Sequence, residues 1–332
     1  MRILVAPDKF RGTLTAAQAA AALGAGLRRA GHEVTEMPLA DGGEGTLEVL
    51  GGANKATVVS DPLGDPVQAP WRLSGGTAVI EMARASGLEL VGGAEGNDPV
   101  SASTHGTGEL ISTAVESGAK EVIVAVGGSA TTDGGLGALR ALFPLHRLRG
   151  VRITVACDVA IGFVDAARVF APQKGATEAQ VELLQRRLEA LVGVYEDDYG
   201  VDVTSLPGAG AAGGLAGGLA CAGAELESGF DLVADRLGFD EALEGVDAVV
   251  TGEGFLDEES FDGKVVGGVL DTARHARVPV VAVVGQAFDS ATERIPTVSL
   301  VETYGEEQAL GDAGGCLFEA ATEVEQMLSG GG

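Results

Sequence analysis

Three observations predict an α/β protein of about two domains. The chain opens as a strand, a loop, a helix and a second strand. Its 52 glycines gather in short runs between apolar segments, with no period of three. Its 332 residues correspond to about two domains, and 45% of them are hydrophobic, enough for sizeable cores. A usual glycine share of about 7% would give roughly 23. The excess marks tight turns where backbone must come close to other atoms, as beside a ligand cleft.

Arg2 to Ala6 reads as a buried strand. Thr15-Ala-Ala-Gln18 is a capping box, and Ala19, Leu23 and Leu27 fall on one face of the helix it starts. Gly31 stops that helix, and Glu33 to Met37 reads as the next strand. The loop Pro7 to Leu14 therefore leaves the carboxyl end of a first strand, where open α/β sheets bind ligands. Ala40 to Thr46 opens a helix. Val58 to Ser60, Val67 to Leu73 and Ala78 to Met82 read as short strands of a meander. Trp71 sits on an alternating strand and reads as packing. Thr107 is placed to cap a helix through Leu110, Ile111, Ala114 and Val115, ended by Gly118. Val122 to Val126 is a strand leading directly into the glycine-rich run Gly127 to Gly137. Val151 to Ala156 is a strand ending at Cys157-Asp158. Thr177-Glu-Ala-Gln180 is a second capping box, with Val181, Leu184, Leu188 and Leu191 on its helix. Gly208 to Gly218 is an Ala/Gly tract. Val246 to Thr251 and Val278 to Val284 read as strands ending in Gly252-Glu-Gly254 and Gly285-Gln286, and Val298 to Val301 as one more. After Glu325 the tail thins to Ser-Gly-Gly-Gly, which should fray.

No repeat, heptad or polar linker divides the chain. The early strand–helix–strand segment and the late strand–loop segments share one style. The expected organisation is a discontinuous domain of residues 1–60 and 238–332, with residues 61–237 inserted as a second α/β domain.

The formal net charge is −26, from 48 acidic and 22 basic residues. Such a surface repels nucleic-acid backbones and anionic membranes, so neither is an expected partner. Solubility, or a salty cytoplasm, is a sufficient reason for the charge. Anionic ligands would need local lysines, arginines, metal ions or helix N-termini. Lysines are few, and Lys9, Lys174 and Lys264 stand in polar or glycine-rich contexts suited to compact point charges. Cys157, Cys221 and Cys316 match no CxxC spacing, so neither a disulfide framework nor a zinc site is expected. Met1 to Ala6 runs straight into a strand and not into a signal-peptide pattern. No membrane span is read, and the expected location is the reducing cytoplasm.

Four acidic, glycine-rich turns follow apolar runs: Asp41-Gly-Gly-Glu44, Asp133-Gly-Gly, Asp158, and Glu253-Gly-Phe-Leu-Asp257. Glycine lets backbone N–H groups approach phosphate oxygens. Carboxylates can hold Mg²⁺ or accept a hydroxyl proton, and Lys9, Lys174 and Lys264 can neutralise a transferring phosphoryl group. Each Asp-Gly, taken singly, is also an ordinary turn signal. There is no GxxxxGK[ST] loop, no protein-kinase motif pair or GxSxG elbow, and no GxGxxG after the first strand, which argues against a dinucleotide-dependent oxidoreductase. The Ala/Gly tract can admit either a ligand or another helix. Among the histidines, only His105 lies beside hydroxyls and glycines.

With these motifs in place, the chain resembles the type I glycerate kinase family. The resemblance rests on Ala6-Pro-Asp-Lys-Phe-Arg-Gly-Thr-Leu-Thr15, Pro38-Leu-Ala-Asp-Gly-Gly-Glu-Gly-Thr46 and Ser103-Thr-His-Gly-Thr-Gly-Glu-Leu-Ile111. It continues through Gly127 to Gly137, Ala156 to Val159, Phe170 to Ala176, Gly208 to Gly214, and Thr251-Gly-Glu-Gly254 with Asp257, Ser260, Gly263 and Lys264. The stretch from Leu139 to Val155 is shorter than that family's pattern, and the Asn-Pro-Leu expected after Cys-Asp-Val is absent. The resemblance implies ATP, Mg²⁺ and D-glycerate, with 2-phosphoglycerate as product. It also implies two α/β domains facing a cleft, one Rossmann-like with a mostly parallel sheet and one with a mixed sheet, and it allows a homodimer. Asp41, Asp133, Lys9 and Lys264 are then the catalytic candidates, with Asp41 as first choice of base and Asp133 second. Asp8, Lys9, Arg11, Ser129 and His105 are candidates for substrate, and Gly127, Gly128, Lys174, Gly252 and Lys264 for the nucleotide. Asp158 and Glu253 are candidates for Mg²⁺. The alternatives are a kinase for a related small hydroxy acid and a non-catalytic binding protein on the same fold.

Overall fold

The computed structural model describes residues 1–158 and 160–330. Val159, in the Ala156–Val159 motif, and the last two glycines of the tail lie outside the described residues. The chain forms two compact units: residues 1–41 with 230–332, and residues 42–229. The sequence reading drew these borders at 60/61 and 237/238. Eleven strands are seen among the described residues: β1 (Arg2–Val5), β2 (Glu33–Glu36), β3 (Lys55–Ser60), β4 (Pro66–Ser74), β5 (Thr77–Glu81), β6 (Glu121–Ala125), β7 (Arg152–Cys157), β8 (Glu225–Ser228), β9 (Ala248–Leu256), β10 (Val280–Ala287) and β11 (Thr297–Ser299). β3 pairs with β4 along its whole length, Lys55 opposite Trp71 to Ser60 opposite Pro66. That pairing places it in the sheet of the second unit.

The first unit holds a five-stranded sheet ordered β11-β10-β9-β1-β2, parallel throughout. The chain steps outward from β1 to β2 and, on its return, outward the other way through β9, β10 and β11. The gap between β1 and β9 is therefore a topological switch point. The helix Ala16–Arg29 forms where expected. Thr15 accepts from Gln18 N, the Gln18 side chain accepts from Thr15 N, and Ala19, Leu23 and Leu27 are buried. They pack with Ile3, Val5, Val250, Val281 and Val283 into one core. Burying each such aliphatic side chain contributes about 1.5–3 kcal/mol. The terminal helix runs from Ala321 to Gly330, past the point where the sequence suggests fraying, because Leu328 still packs against this core.

β9 and β10 extend beyond their neighbours. β1 pairs with β9 only as far as Val250, and β11 with β10 only as far as Ser299 opposite Val284. β9 and β10 stay paired to Leu256 opposite Ala287, forming a two-stranded arm at the carboxyl edge of the sheet. The sequence suggests that β9 ends at Gly252. The glycines instead lie inside the strand, because a methyl on Gly252 would overlap the Val283 carbonyl and one on Gly254 would crowd Arg11 N.

The second unit carries a six-stranded mixed sheet, β3-β4-β5-β6-β7-β8. The expected meander β3-β4-β5 is antiparallel, and β5 to β8 are parallel. β8, Glu-Leu-Glu-Ser, is half-exposed, so it shows no apolar run in the sequence. Trp71 is buried in this unit's core, its indole N–H donating to Thr57 Oγ1 at 3.0 Å. The helix Glu178–Tyr199 has its capping box at Thr177 and Gln180. The helix His105–Glu116 begins two residues before Thr107. Thr107 is no cap, because its hydroxyl is buried against Ser86 Oγ at 2.8 Å.

The Ala/Gly tract becomes the helical segment Ala211–Cys221, interrupted near its start by a left-handed turn in which Ala212, Gly213 and Gly214 have φ of 52°, 71° and 90°. The turn is interlocked with the loop after β6. Gly134 N donates to Gly213 O at 3.0 Å, and a methyl on Gly213 would overlap the Thr131 carbonyl oxygen. The small residues thus admit neighbouring backbone. Cys157, Cys221 and Cys316 are all free thiols. Among the described residues no helix is long and apolar enough to cross a membrane.

Candidate functional site

The switch point of the first unit gathers the candidates Asp8, Lys9, Asp41, Gly252, Glu253 and Lys264. Asp8 N donates to Gly252 O at 2.8 Å, which lays the loop after β1 along the arm of β9. Lys9 Nζ lies 3.5 Å from Asp8 Oδ2 and 4.0 Å from Asp41 Oδ1, and Lys9 N donates to Asp8 Oδ1 at 2.6 Å. Leu39 N donates to Pro7 O at 2.9 Å, which holds the segment leading to Asp41 beside the same loop. Glu253 points into this group, with Asp8, Lys264 and Asp257 as charged neighbours and Ser260 close by.

The electrostatics of this corner are unusual. Burial pushes the Asp8 carboxyl up to about 7; Lys9 opposes the shift and Asp41 adds to it. Burial likewise pushes Glu253 up to about 7. Glu253 Oε1 is buried without a hydrogen-bond partner. A carboxylate oxygen left so costs free energy unless a cation or a proton meets it. Lys264 occupies the N-cap position of the helix Val265–Ala276 and pairs loosely with Glu259 at 3.8 Å. Asp257 and Ser260 form a reciprocal cap on the short helical turn Glu258–Phe261 that follows β9. Arg11 is exposed on the same loop as Lys9.

In the second unit the loop after β6 is pinned from within. Asp133 Oδ2 accepts from Thr104 N and Thr104 Oγ1 at 2.9 Å, from Gly137 N at 3.1 Å and from Ser103 Oγ at 3.5 Å. Its Oδ1 accepts from Gly135 N at 3.1 Å. Lys174 is 3% exposed, its Nζ donating to Thr131 O at 2.6 Å. Burial lowers it to about 7, against the pull of Asp133. Asn97 reaches the same place, its Nδ2 donating to Ala130 O and Lys174 O at 3.0 and 2.9 Å. Asn97 Oδ1, Thr131 Oγ1 and Thr132 Oγ1 are buried without partners. These unused hydrogen-bonding groups lie beside a lysine whose charged form burial disfavours.

The other candidates spread around this loop. Gly127 packs on Gly43, with no room for a side chain, and Gly128 has φ of 71°. Ser129 is buried and forms a bridge with Gly87. His105 is the first residue of its helix, with Nε2 3.7 Å from Glu109. Asp158 follows β7 and adds to the burial that pushes the Cys157 thiol up to about 11.

Two residues that the sequence reading passed over prove important. Glu81 is 2% exposed. Its Oε1 accepts from Gly45 N and Leu47 N at 2.9 and 3.0 Å, capping from a distance the short helix Thr46–Val49, whose own N-cap is a glycine. An acid closing the apolar strand Thr77-Ala-Val-Ile-Glu81 was its available signal. Asn97 has no such signal. Among the described residues, no group of three or more His, Cys, Asp or Glu side chains is arranged to hold a metal ion. Mg²⁺, however, commonly takes one or two carboxylates and completes its shell with water and substrate phosphates. The unpartnered Glu253 oxygen with Asp8 nearby fits that requirement.

A parallel sheet with cations and carboxylates at its switch point, coupled in the chain to a mixed-sheet unit with a glycine-rich loop, defines a two-domain α/β protein built to handle small anions. The family model described as "Glycerate kinase family" matches residues 3–143 and 145–329, and the chain belongs to that family. It is 40% identical to glycerate 2-kinase of Escherichia coli (strain K12) over 87% of this chain and 86% of that one. It is 39% identical to a glycerate kinase of Halalkalibacterium halodurans, covering 88% of each. A crystal structure of a putative glycerate kinase 2 from Salmonella typhimurium LT2 superimposes with a TM-score of 0.84 at 35% identity, covering 100% of this chain and 99% of the other.

Proposed function

We propose that this protein transfers the terminal phosphoryl group of ATP to the 2-hydroxyl of D-glycerate. The observation that carries the reading is the convergence of Lys9, Lys264, Asp8, Asp41 and Glu253 at the switch point. Transfer between two anions needs cations to hold them and a carboxylate to take the hydroxyl proton, with most of the catalysis coming from positioning.

Lys9 is the residue proposed to hold the glycerate carboxylate, because its ammonium is partly buried between Asp8 and Asp41. Asp41 then accepts the proton from the attacking hydroxyl. Lys264, at a helix N-terminus, neutralises the phosphoryl oxygens together with the backbone dipole. Glu253 and Asp8 are the residues that would hold Mg²⁺, which when bound spreads charge away from the phosphates. Asp158, the other Mg²⁺ candidate from the sequence, belongs to the second unit and receives no role in this reading.

Asp133 receives a different assignment from that of a base. Its oxygens are engaged by donors of its own unit, so we assign it to holding the Gly127–Gly137 loop in shape. Lys174 is the proposed phosphate contact of that loop: an arriving phosphate dianion restores its proton, and the unpartnered Thr131 and Thr132 hydroxyls supply donors. A cytoplasmic location and action without nucleic acid or membrane complete the reading.

The test is to incubate the protein with ATP, Mg²⁺ and D-glycerate and identify the product by phosphorus NMR. A 2-phosphoglycerate resonance supports the reading. A 3-phosphoglycerate resonance keeps the kinase and removes Asp41 as base. Turnover of another hydroxy acid in preference to glycerate replaces the substrate.

A further inference from the structure

The arm of β9 and β10 carries two large aromatic rings at its tip that the roles above leave without a task. Phe255 is 42% and Phe288 57% exposed. Their rings meet edge to face, with centroids 5.1 Å apart at 84°. Phe288 N donates to Leu256 O at 3.0 Å, and Gln286 stands opposite Phe255 in the register, so backbone fixes both ring positions. Neighbouring Phe261 shows the usual fate of such a side chain: it is 8% exposed beneath the Arg294 guanidinium, 3.9 Å from its centroid. An exposed aromatic pair on a rigid strand end loses apolar contact unless something covers it.

Alternation along β9 puts Phe255 on the same face as Glu253, two residues earlier, a separation of about 7 Å. Glu253 neighbours Lys264 and Asp8, so the aromatic pair is continuous with the site where phosphates are expected. A ligand that is flat and apolar at one end and polyanionic at the other matches this sequence of surfaces. We propose that Phe255 and Phe288 form the stacking platform for the purine base of the nucleotide donor, its phosphates running back along the arm toward Lys264 and Glu253. This rests on the phosphotransfer reading and adds to it the site of the base.

The experiment compares calorimetric binding of ATP–Mg²⁺ and of inorganic tripolyphosphate–Mg²⁺ to the full chain. It uses the wild type, Phe255→Ala, Phe288→Ala and Phe255→Trp. Both rings are largely outside the core, and thermal melts confirm that each variant folds. A stacked base gains roughly tenfold in affinity from one aromatic side chain. The expected result is a loss of about that size in ATP affinity for each alanine variant, unchanged affinity for tripolyphosphate, and ATP binding retained in Phe255→Trp. Equal losses for both ligands, or no loss for ATP, overturn the platform. So does a change in sedimentation of the alanine variants with ATP affinity intact, which would assign the pair to contact with a second copy. Wild-type protein that binds ATP and tripolyphosphate equally overturns the platform alone. Wild-type protein that binds neither overturns it together with the phosphotransfer reading.

Discussion

Replacing Asp133 with asparagine separates two jobs a carboxylate can have in a kinase loop. The wild-type side chain gathers Thr104 N, Thr104 Oγ1 and Gly137 N on Oδ2 and Gly135 N on Oδ1, at 2.9 to 3.1 Å. Asparagine fills the same volume with a single acceptor oxygen. If that oxygen takes the Oδ2 position, the amide NH₂ faces the Gly135 N–H and leaves it unsatisfied, at a cost of about 1–3 kcal/mol. The three remaining bonds lose their charge assistance, worth roughly half their strength and so about 0.5 kcal/mol each. The sum is about 2.5–4.5 kcal/mol. For a unit of this size each kcal/mol lowers Tm by about 2–4 °C, giving a fall of roughly 5–18 °C. Scanning calorimetry measures the shift, and kcat is taken well below the transition. A variant that melts like wild type while kcat drops by about 10²–10⁴, the usual size of a general-base effect, refutes the reasoning and restores Asp133 as a base.

Lys9→Ala should raise the KM for glycerate by about tenfold to a hundredfold, the worth of one hydrogen bond to a charged group, and leave that for ATP nearly unchanged; unaltered steady-state kinetics remove the assignment. Asp41→Asn should lower kcat by about 10²–10⁴ at constant melting temperature, and wild-type turnover would exclude it as base. Lys174 sits near 7 when folded and near 10.5 when unfolded. The unfolded chain therefore binds more protons between those values, and stability gains from this residue as pH rises through that window. Chemical unfolding from pH 7 to 10 should show that slope in wild type and a shallower one in Lys174→Met; parallel curves argue against a buried neutral lysine. Gly213→Ala should lower Tm by at least about 2–8 °C, since a left-handed alanine costs roughly 1–2 kcal/mol before the overlap with Thr131 O is counted. A melt at the wild-type temperature would show that the turn is not interlocked.

Local chemistry made much of the fold legible. Both capping boxes are satisfied reciprocally, and the opening strand–loop–helix–strand puts Lys9 at a strand end as its spacing suggests. The same motifs named residues that converge at the first sheet. Long-range geometry was hidden. Asp133 looks like any Asp-Gly turn until the Thr104 and Gly137 donors arrive from other elements. Lys174 reads as a point charge for a phosphate in Pro-Gln-Lys-Gly, and nothing local says that its ammonium is buried against Thr131. Glycine at 252 and 254 reads as a strand end, whereas the tertiary reason for it is a neighbouring backbone.

The discontinuity of the first unit sets the order in which the molecule can be made. β1 is buried between β2 and β9, yet residues 42–229 must leave the ribosome before β9 exists. At about 5–20 residues per second that delay is on the order of 10–40 s. During it the nascent N-terminal strand–helix–strand unit has only half a sheet, and the intervening unit can complete its own core first. Lys9 and Asp41 are thus among the first residues of the proposed site to be synthesised and among the last to be assembled, when the closing strands supply Glu253 and Lys264.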